Sequence, residues 1–163
     1  MGPSSRMSLA DLQLRPFSLH DAPAVARWLR GKGLSVPVGS IGVRWAERLL
    51  TNPRVRAFVA WSGNVRVGFA RLDVGPDRVA ELTITVAARL QRRGVGSAVL
   101  KAVLAWAKVN NLRKIQAIVD RQNIPAIRFF VEHCFEDQAG DVAVARFVYW
   151  LHGPCAEVLD LDA

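Results

Sequence analysis

The sequence predicts an α/β (α+β) domain with one central sheet of about six to seven short strands, flanked by about four helices. Three observations carry this expectation. Val55 to Val86 holds three strand-like runs separated by short turns rich in Gly, Asn and Pro, the pattern of an antiparallel meander. The third run passes through a basic, Gly-containing turn straight into a long apolar helix that ends at Val109. A further strand, a further helix and a final β-prone run follow as far as Leu151.

Taken in order, Leu12 to Phe17 alternates apolar and polar residues and reads as the first strand, with Pro16 marking its end or an edge position. Ser18 and Asp21 are candidate N-caps for a short amphipathic helix, Ala22 to Arg30, with Ala24, Val25, Trp28 and Leu29 facing inward. Gly31-Lys32-Gly33 stops that helix. Leu34 to Gly42 has no periodicity and reads as a loop. Val43 to Leu50 resumes helical spacing with Trp45, Leu49 and Leu50 apolar, and Asn52-Pro53 breaks it.

Val55 to Trp61 and Val65 to Asp73 are strands joined by Ser62-Gly63-Asn64, residues that tolerate a hairpin turn. Gly68 inside the second marks a bulge or a close backbone approach. Gly75-Pro76-Asp77 turns the chain into the strand Val79 to Val86. From Ser97 to Val109, Ala98, Val99, Ala102, Val103, Trp106 and Ala107 recur at helical steps, and Asn110-Asn111 closes the helix. Lys114 to Val119 is a short alternating strand. Asn123 fits an N-cap and Pro125 a first turn, with Ile124, Ile127, Phe130, Val131 and Cys134 at helical spacing. Phe135 to Gln138 and Val142 to Leu151 complete the sheet.

Composition bounds the function. A chain of 163 residues favours one domain with room for a core. We assign it to 10–152, with 1–9 a flexible N-terminus or cloning remnant (Met7 is an alternative start) and 153–163 a C-terminal tail. No apolar run approaches the roughly 18 residues needed to cross a membrane, and no signal pattern opens the chain. Cys134 and Cys155 have no metal-ligand spacing, so no metal is expected; both read as reduced, in a cytoplasmic protein. The net charge of +8 favours anionic partners. Its arginines are scattered, however, without a basic stripe or interleaved aromatic residues, so nucleic acid is not an expected partner.

The chemistry concentrates in Gln91-Arg92-Arg93-Gly94-Val95-Gly96 and the following Ser97. A helix N-terminus presents unpaired backbone N–H groups and a partial positive charge, and behind a glycine loop it can hold a phosphate. Gly94 and Gly96 let a ligand approach the backbone, and Arg92 and Arg93 add cationic donors. The plain alternative is a strand-to-helix turn with a solvated basic tip.

Gln91-x-x-Gly94-x-Gly96 resembles the pyrophosphate-binding signature of the GNAT superfamily of acyl-CoA-dependent N-acyltransferases, Gln/Arg-x-x-Gly-x-Gly/Ala, and it stands between the fourth strand and the next helix as it does there. A second stretch is similar to that family's Asn-x-x-Ala-x-x-(Leu/Phe)-Tyr-x-x-x-Gly-Phe motif: Asn123, Ala126, Phe129 and Phe135 match. Phe130 stands at the usual Tyr position and Cys134 at the usual Gly. The resemblance spans roughly Glu81 to Phe135 and implies the GNAT fold, with a mixed, mostly antiparallel sheet.

It also implies an acetyl-CoA co-substrate in a notch between the fourth and fifth strands. Backbone from Arg92 and Arg93 through Gly94, Val95 and Gly96, with Gln91 and Ser97 beside it, would hold the pyrophosphate. Backbone around Ile84 and Val86 would pair with the pantetheine arm, and Asn123 and Phe130 would face the cofactor from the far side. The early helices would flank an acceptor, a small amine or a peptide amine. Glu81 is the candidate base, its plain alternative being a solvated strand glutamate. Phe130 leaves the usual acid role vacant, and nothing local brings Tyr149 to the thioester. The expected function is N-acetyl transfer to a primary amine. The alternative is a catalytically weak or inactive GNAT-fold domain that binds coenzyme A or a protein partner. A homodimer through a sheet edge or the final strands is compatible with either.

Overall fold

Seven strands form a single sheet in the order β1-β2-β3-β4-β5-β7-β6 in the computed structural model, which describes residues 9–30, 43–91, 93–139 and 141–152. The expected Gly31–Gly33 helix stop, the Leu34–Gly42 loop, Arg92, Gly140, Cys155 and the terminal segments 1–8 and 153–163 lie outside the described residues. β1 (Leu12–Pro16), β2 (Val55–Ser62), β3 (Val65–Val74) and β4 (Val79–Val86) run antiparallel, each to the next. β4 pairs parallel with β5 (Lys114–Asp120), and β5 pairs antiparallel with β7 (Val144–Trp150). The two-residue β6 (Glu136–Asp137) lies along the outer edge of β7. Among the described residues the helices are α1 (Ala22–Leu29), α2 (Val43–Thr51), α3 (Val95–Val109) and α4 (Ile124–Glu132). This is the mixed, mostly antiparallel architecture expected from the sequence.

The period-two alternation of the strands gives the sheet two apolar faces. Ala70, Leu72, Ala80, Leu82, Ile115 and Ala117 meet α3 and α4 in the larger core, with Val99, Leu100, Val103 and Phe130. Phe69 and Val59 point to the other face, where Phe17, Val25, Leu29, Trp45 and Leu49 bring α1 and α2 onto the sheet. Trp45 is part of this second core, its ring 5.9 Å from Phe17 and 6.1 Å from Phe69.

Gly68 answers both expectations placed on it. The β2–β3 register slips beside it, between Ala60 and Trp61, leaving Val67 as the extra residue. A Cβ at Gly68 would also lie 3.1 Å from Val99 Cγ2 and 3.2 Å from the Thr85 carbonyl oxygen. Gly63 turns the β2–β3 hairpin at φ 58°. α3 starts two residues earlier than expected, at Val95, because Gly94 already serves as its N-cap. β7 starts two residues later than expected, and Val142 is exposed.

Candidate functional site

β4 and β5 do not stay together. Their parallel pairing covers only Val79↔Lys114, Ala80↔Ile115 and Glu81↔Gln116. Beyond Glu81, β4 remains paired with β3 as far as Val86, and β5 remains paired with β7 as far as Asp120. The sheet therefore forks, and Leu82–Val86 presents one strand edge to the opening. Five residues at about 3.3 Å each give an edge of roughly 16 Å. In a sheet interior such an edge is a template for another extended, amide-bearing chain.

The end of this edge leads directly into the glycine loop. Leu90 is buried and anchors the approach, while Gln91 and Arg93 are exposed. Gly94 sits at φ 79°, ψ 2°, a left-handed conformation that glycine adopts without the Cβ cost. It is the N-cap of α3, and no side chain caps the helix there. The first N–H groups of an α-helix have no intrahelical acceptor, which leaves the amides of Val95, Gly96 and Ser97 without one at the start of α3. The Val95 side chain itself faces the core. Gly96 has a packing reason as well: a Cβ there would lie 3.2 Å from the Phe129 ring and 3.7 Å from Val86 Cγ2. Its smallness brings α4 and β4 against the first turn of α3.

Glu81 occupies the last paired position of β4 before the fork, opposite Asp73 on β3 and Gln116 on β5. It is exposed and shares a face with Thr83 and Thr85, the face on which α1 and α2 pack. Ile84 and Val86 alternate to the α3/α4 face and pack on the larger core. On the face of Glu81, Trp45, Arg48, Leu49, Asn52 and Arg71 line a cleft of about 250 Å³ between α2 and β3. The Arg71 guanidinium is held in a two-pronged bond to Asp73, at 2.9 Å for each prong.

α4 closes the other side of the fork. The Asn123 side chain accepts from the Ala126 N–H at 3.3 Å and so caps α4. Phe130 is 5% exposed and packs in an aromatic cluster with Phe129, Phe135 and Phe147. Tyr149 is also buried, on the core face of β7 with its ring beside Phe135. A residue absent from the expected set enters here. The His133 imidazole lies 2.8 Å from Ser97 Oγ through Nε2 and 2.6 Å from the Phe129 carbonyl oxygen through Nδ1. Nothing in the spacing of the sequence joins two residues 36 positions apart; only their packing across α3 and α4 does. Among the described residues, no group of three or more His, Cys, Asp or Glu could hold a metal ion, and no helix is long and apolar enough to cross a membrane.

Comparison with known proteins adds three findings. A family model described as the acetyltransferase (GNAT) family matches residues 28–135. Comparison with curated proteins finds no match. Among solved structures, a spermidine N-acetyltransferase from Vibrio cholerae in complex with CoA and spermine is similar at 19% identity and a TM-score of 0.78, over 86% of this chain and 96% of that one. A mutant form of the spermidine/spermine N-acetyltransferase from the same organism gives 18% identity and 0.77, over 94% and 99%. A dodecameric structure of the spermidine N-acetyltransferase from that organism gives 18% and 0.74, over 86% and 94%. At these identities the likeness is one of fold.

Proposed function

Because the chain belongs to the acetyltransferase (GNAT) family, we propose that it transfers an acetyl group from acetyl-CoA to a primary amine of a small molecule or peptide. The observation that carries this reading is the fork between β4 and β5, opening onto the uncapped N-terminus of α3. The residues present suit the co-substrate. The amides of Val95 to Ser97 and the positive end of α3 would hold the pyrophosphate, with Arg93 beside them and Arg92 in the same loop. The edge Leu82–Val86 would pair with the two amides of the pantetheine arm and orient the thioester toward Glu81. Acetyl-CoA supplies an activated thioester carbonyl.

At Glu81 the acceptor must lose a proton before its nitrogen can attack, and an exposed carboxylate at the base of the fork can take it, directly or through a water. The new bond is N–C and the broken bond C–S; the thiolate leaves and takes its proton from solvent. Phe130 has no proton to donate and Tyr149 is buried among aromatic rings, so this reading uses no dedicated acid. The cleft of Trp45, Arg48 and Leu49 lies on the Glu81 face and would border the acceptor.

The test is thiol release from acetyl-CoA across a panel of amines, polyamines included because a structural neighbour was solved with CoA and spermine. Glu81→Gln should lower kcat/KM at neutral pH by at least about tenfold, about 1.4 kcal/mol of barrier. An unchanged kcat/KM would take Glu81 out of the mechanism. A second reading, a domain that binds coenzyme A without efficient turnover, is favoured by Phe130 at the usual Tyr position. It predicts coenzyme A binding with no thiol release from any amine. A cytoplasmic location and a homodimer belong to the same proposal, and light scattering in solution reads the oligomeric state directly.

A further inference from the structure

We infer that Ser97 and His133 make the cofactor site proton-linked: binding of coenzyme A draws a proton onto His133. The inference rests on the cofactor reading above and adds to it a residue and a thermodynamic property.

The hydrogen bonds set the logic. His133 Nδ1 lies 2.6 Å from the Phe129 carbonyl oxygen, and a carbonyl can only accept. Nδ1 therefore carries hydrogen in every protonation state of the ring. In the neutral ring Nε2 is then an acceptor, so at 2.8 Å the Ser97 hydroxyl must donate to it. The ring has little freedom to turn away, being packed 4.5 Å from the Phe129 ring. The hydroxyl proton of Ser97 is thus committed to the imidazole, and an anion at the start of α3 meets lone pairs there instead of a donor.

Protonation of Nε2 reverses that bond. The imidazolium donates to Ser97 Oγ, and the hydroxyl proton is released to donate to a phosphate oxygen. Ser97 is the third residue of α3, inside the uncapped first turn. A phosphate bound there favours the protonated state twice, through the freed donor and through the positive charge one hydrogen bond behind it. The charged or titratable side chains on the surrounding elements are Arg93 before α3, Lys101 one turn beyond Ser97, Arg128 and Glu132 on α4, Cys134 after it and Glu136 on β6. All are exposed. His133 makes its side-chain hydrogen bonds to Ser97 and Phe129. The sign follows. The ligand stabilises the protonated ring, so this contribution to affinity is present at low pH and is lost as pH rises from about 5 to 8.

The experiment is calorimetric titration of coenzyme A at several pH values, in buffers of low and high ionisation enthalpy, with the wild type, His133→Gln and His133→Leu. The coenzyme's own 3′-phosphate titrates in the same range, so the readout is the difference between proteins. The wild type should take up more protons per coenzyme A than either variant. Its affinity should fall from pH 6 to pH 8 by about three- to tenfold more than theirs. Binding with equal proton uptake in all three proteins would overturn this inference and leave the cofactor reading intact. No binding by the wild type would overturn both.

Discussion

Cys134 has φ 66°, a left-handed conformation in which a side chain is strained. It follows the last turn of α4, where the Phe135 N–H reaches the Phe130 carbonyl at 3.0 Å and the Cys134 N–H reaches Val131 at 3.2 Å. This is the Schellman arrangement, completed by the Phe130–Phe135 ring contact at 5.0 Å. Its geometry explains why the family motif has Gly at this position. Cys134→Gly should therefore stabilise the fold by about 0.5–1 kcal/mol in urea unfolding; a loss of stability would contradict that account. The opposite change at another left-handed position, Gly94→Ala, should cost about 1–2 kcal/mol, which lowers Tm by roughly 2–4 °C per kcal/mol in a domain of this size. The departures at Phe130 and Cys134 were visible in the sequence. Their consequences were not, because a backbone dihedral and an aromatic cluster are properties of packing. The bond from Ser97 to His133 was hidden for the same reason.

At the scale of elements, α1 is tied to the sheet by one buried carboxylate. Asp21, 4% exposed, accepts from the Ser18 N–H at 2.8 Å and from Arg66 Nε at 2.7 Å, and Arg66 lies over the Trp61 ring at 4.5 Å. Removing Arg66 leaves a buried charge short of a partner. Arg66→Ala should cost about 2–3 kcal/mol in equilibrium unfolding, and a cost under about 0.5 kcal/mol would mean that solvent replaces the guanidinium. α4 offers a finer test. Loss of the Asn123 cap in Asn123→Ala should cost about 1 kcal/mol, whereas Asn123→Ser keeps a capping oxygen. A drop in coenzyme A affinity in Asn123→Ser at preserved Tm would support the expected cofactor contact. The elements themselves were legible from alternation and turn residues: β4 appears at Val79–Val86 as read, and α4 begins after Asn123. The fork was not legible from periodicity, since β4 keeps its alternation unchanged on both sides of Glu81. Only the resemblance to a family pointed to a notch there.

Across the whole molecule, one sheet separates two tasks. The α3/α4 face builds the larger core and holds the first turn of α3, at Gly96, against Val86 at the end of β4. The α1/α2 face holds the smaller core, Glu81 and the cleft beside Arg48 and Arg71. A co-substrate lying in the fork would reach from one side to the other, which is the physical sense of the reading proposed for this chain. The most direct measurement is calorimetric titration of acetyl-CoA beside S-acetylpantetheine, which has the same thioester and amides without the pyrophosphate and the adenosine 3′-phosphate. The account predicts micromolar binding of acetyl-CoA and at least about tenfold weaker binding of the truncated compound, about 1.4 kcal/mol contributed by the phosphate-bearing portion that it lacks. Equal affinities would show that the glycine loop holds no phosphate, and absence of binding by acetyl-CoA would contradict the cofactor site altogether.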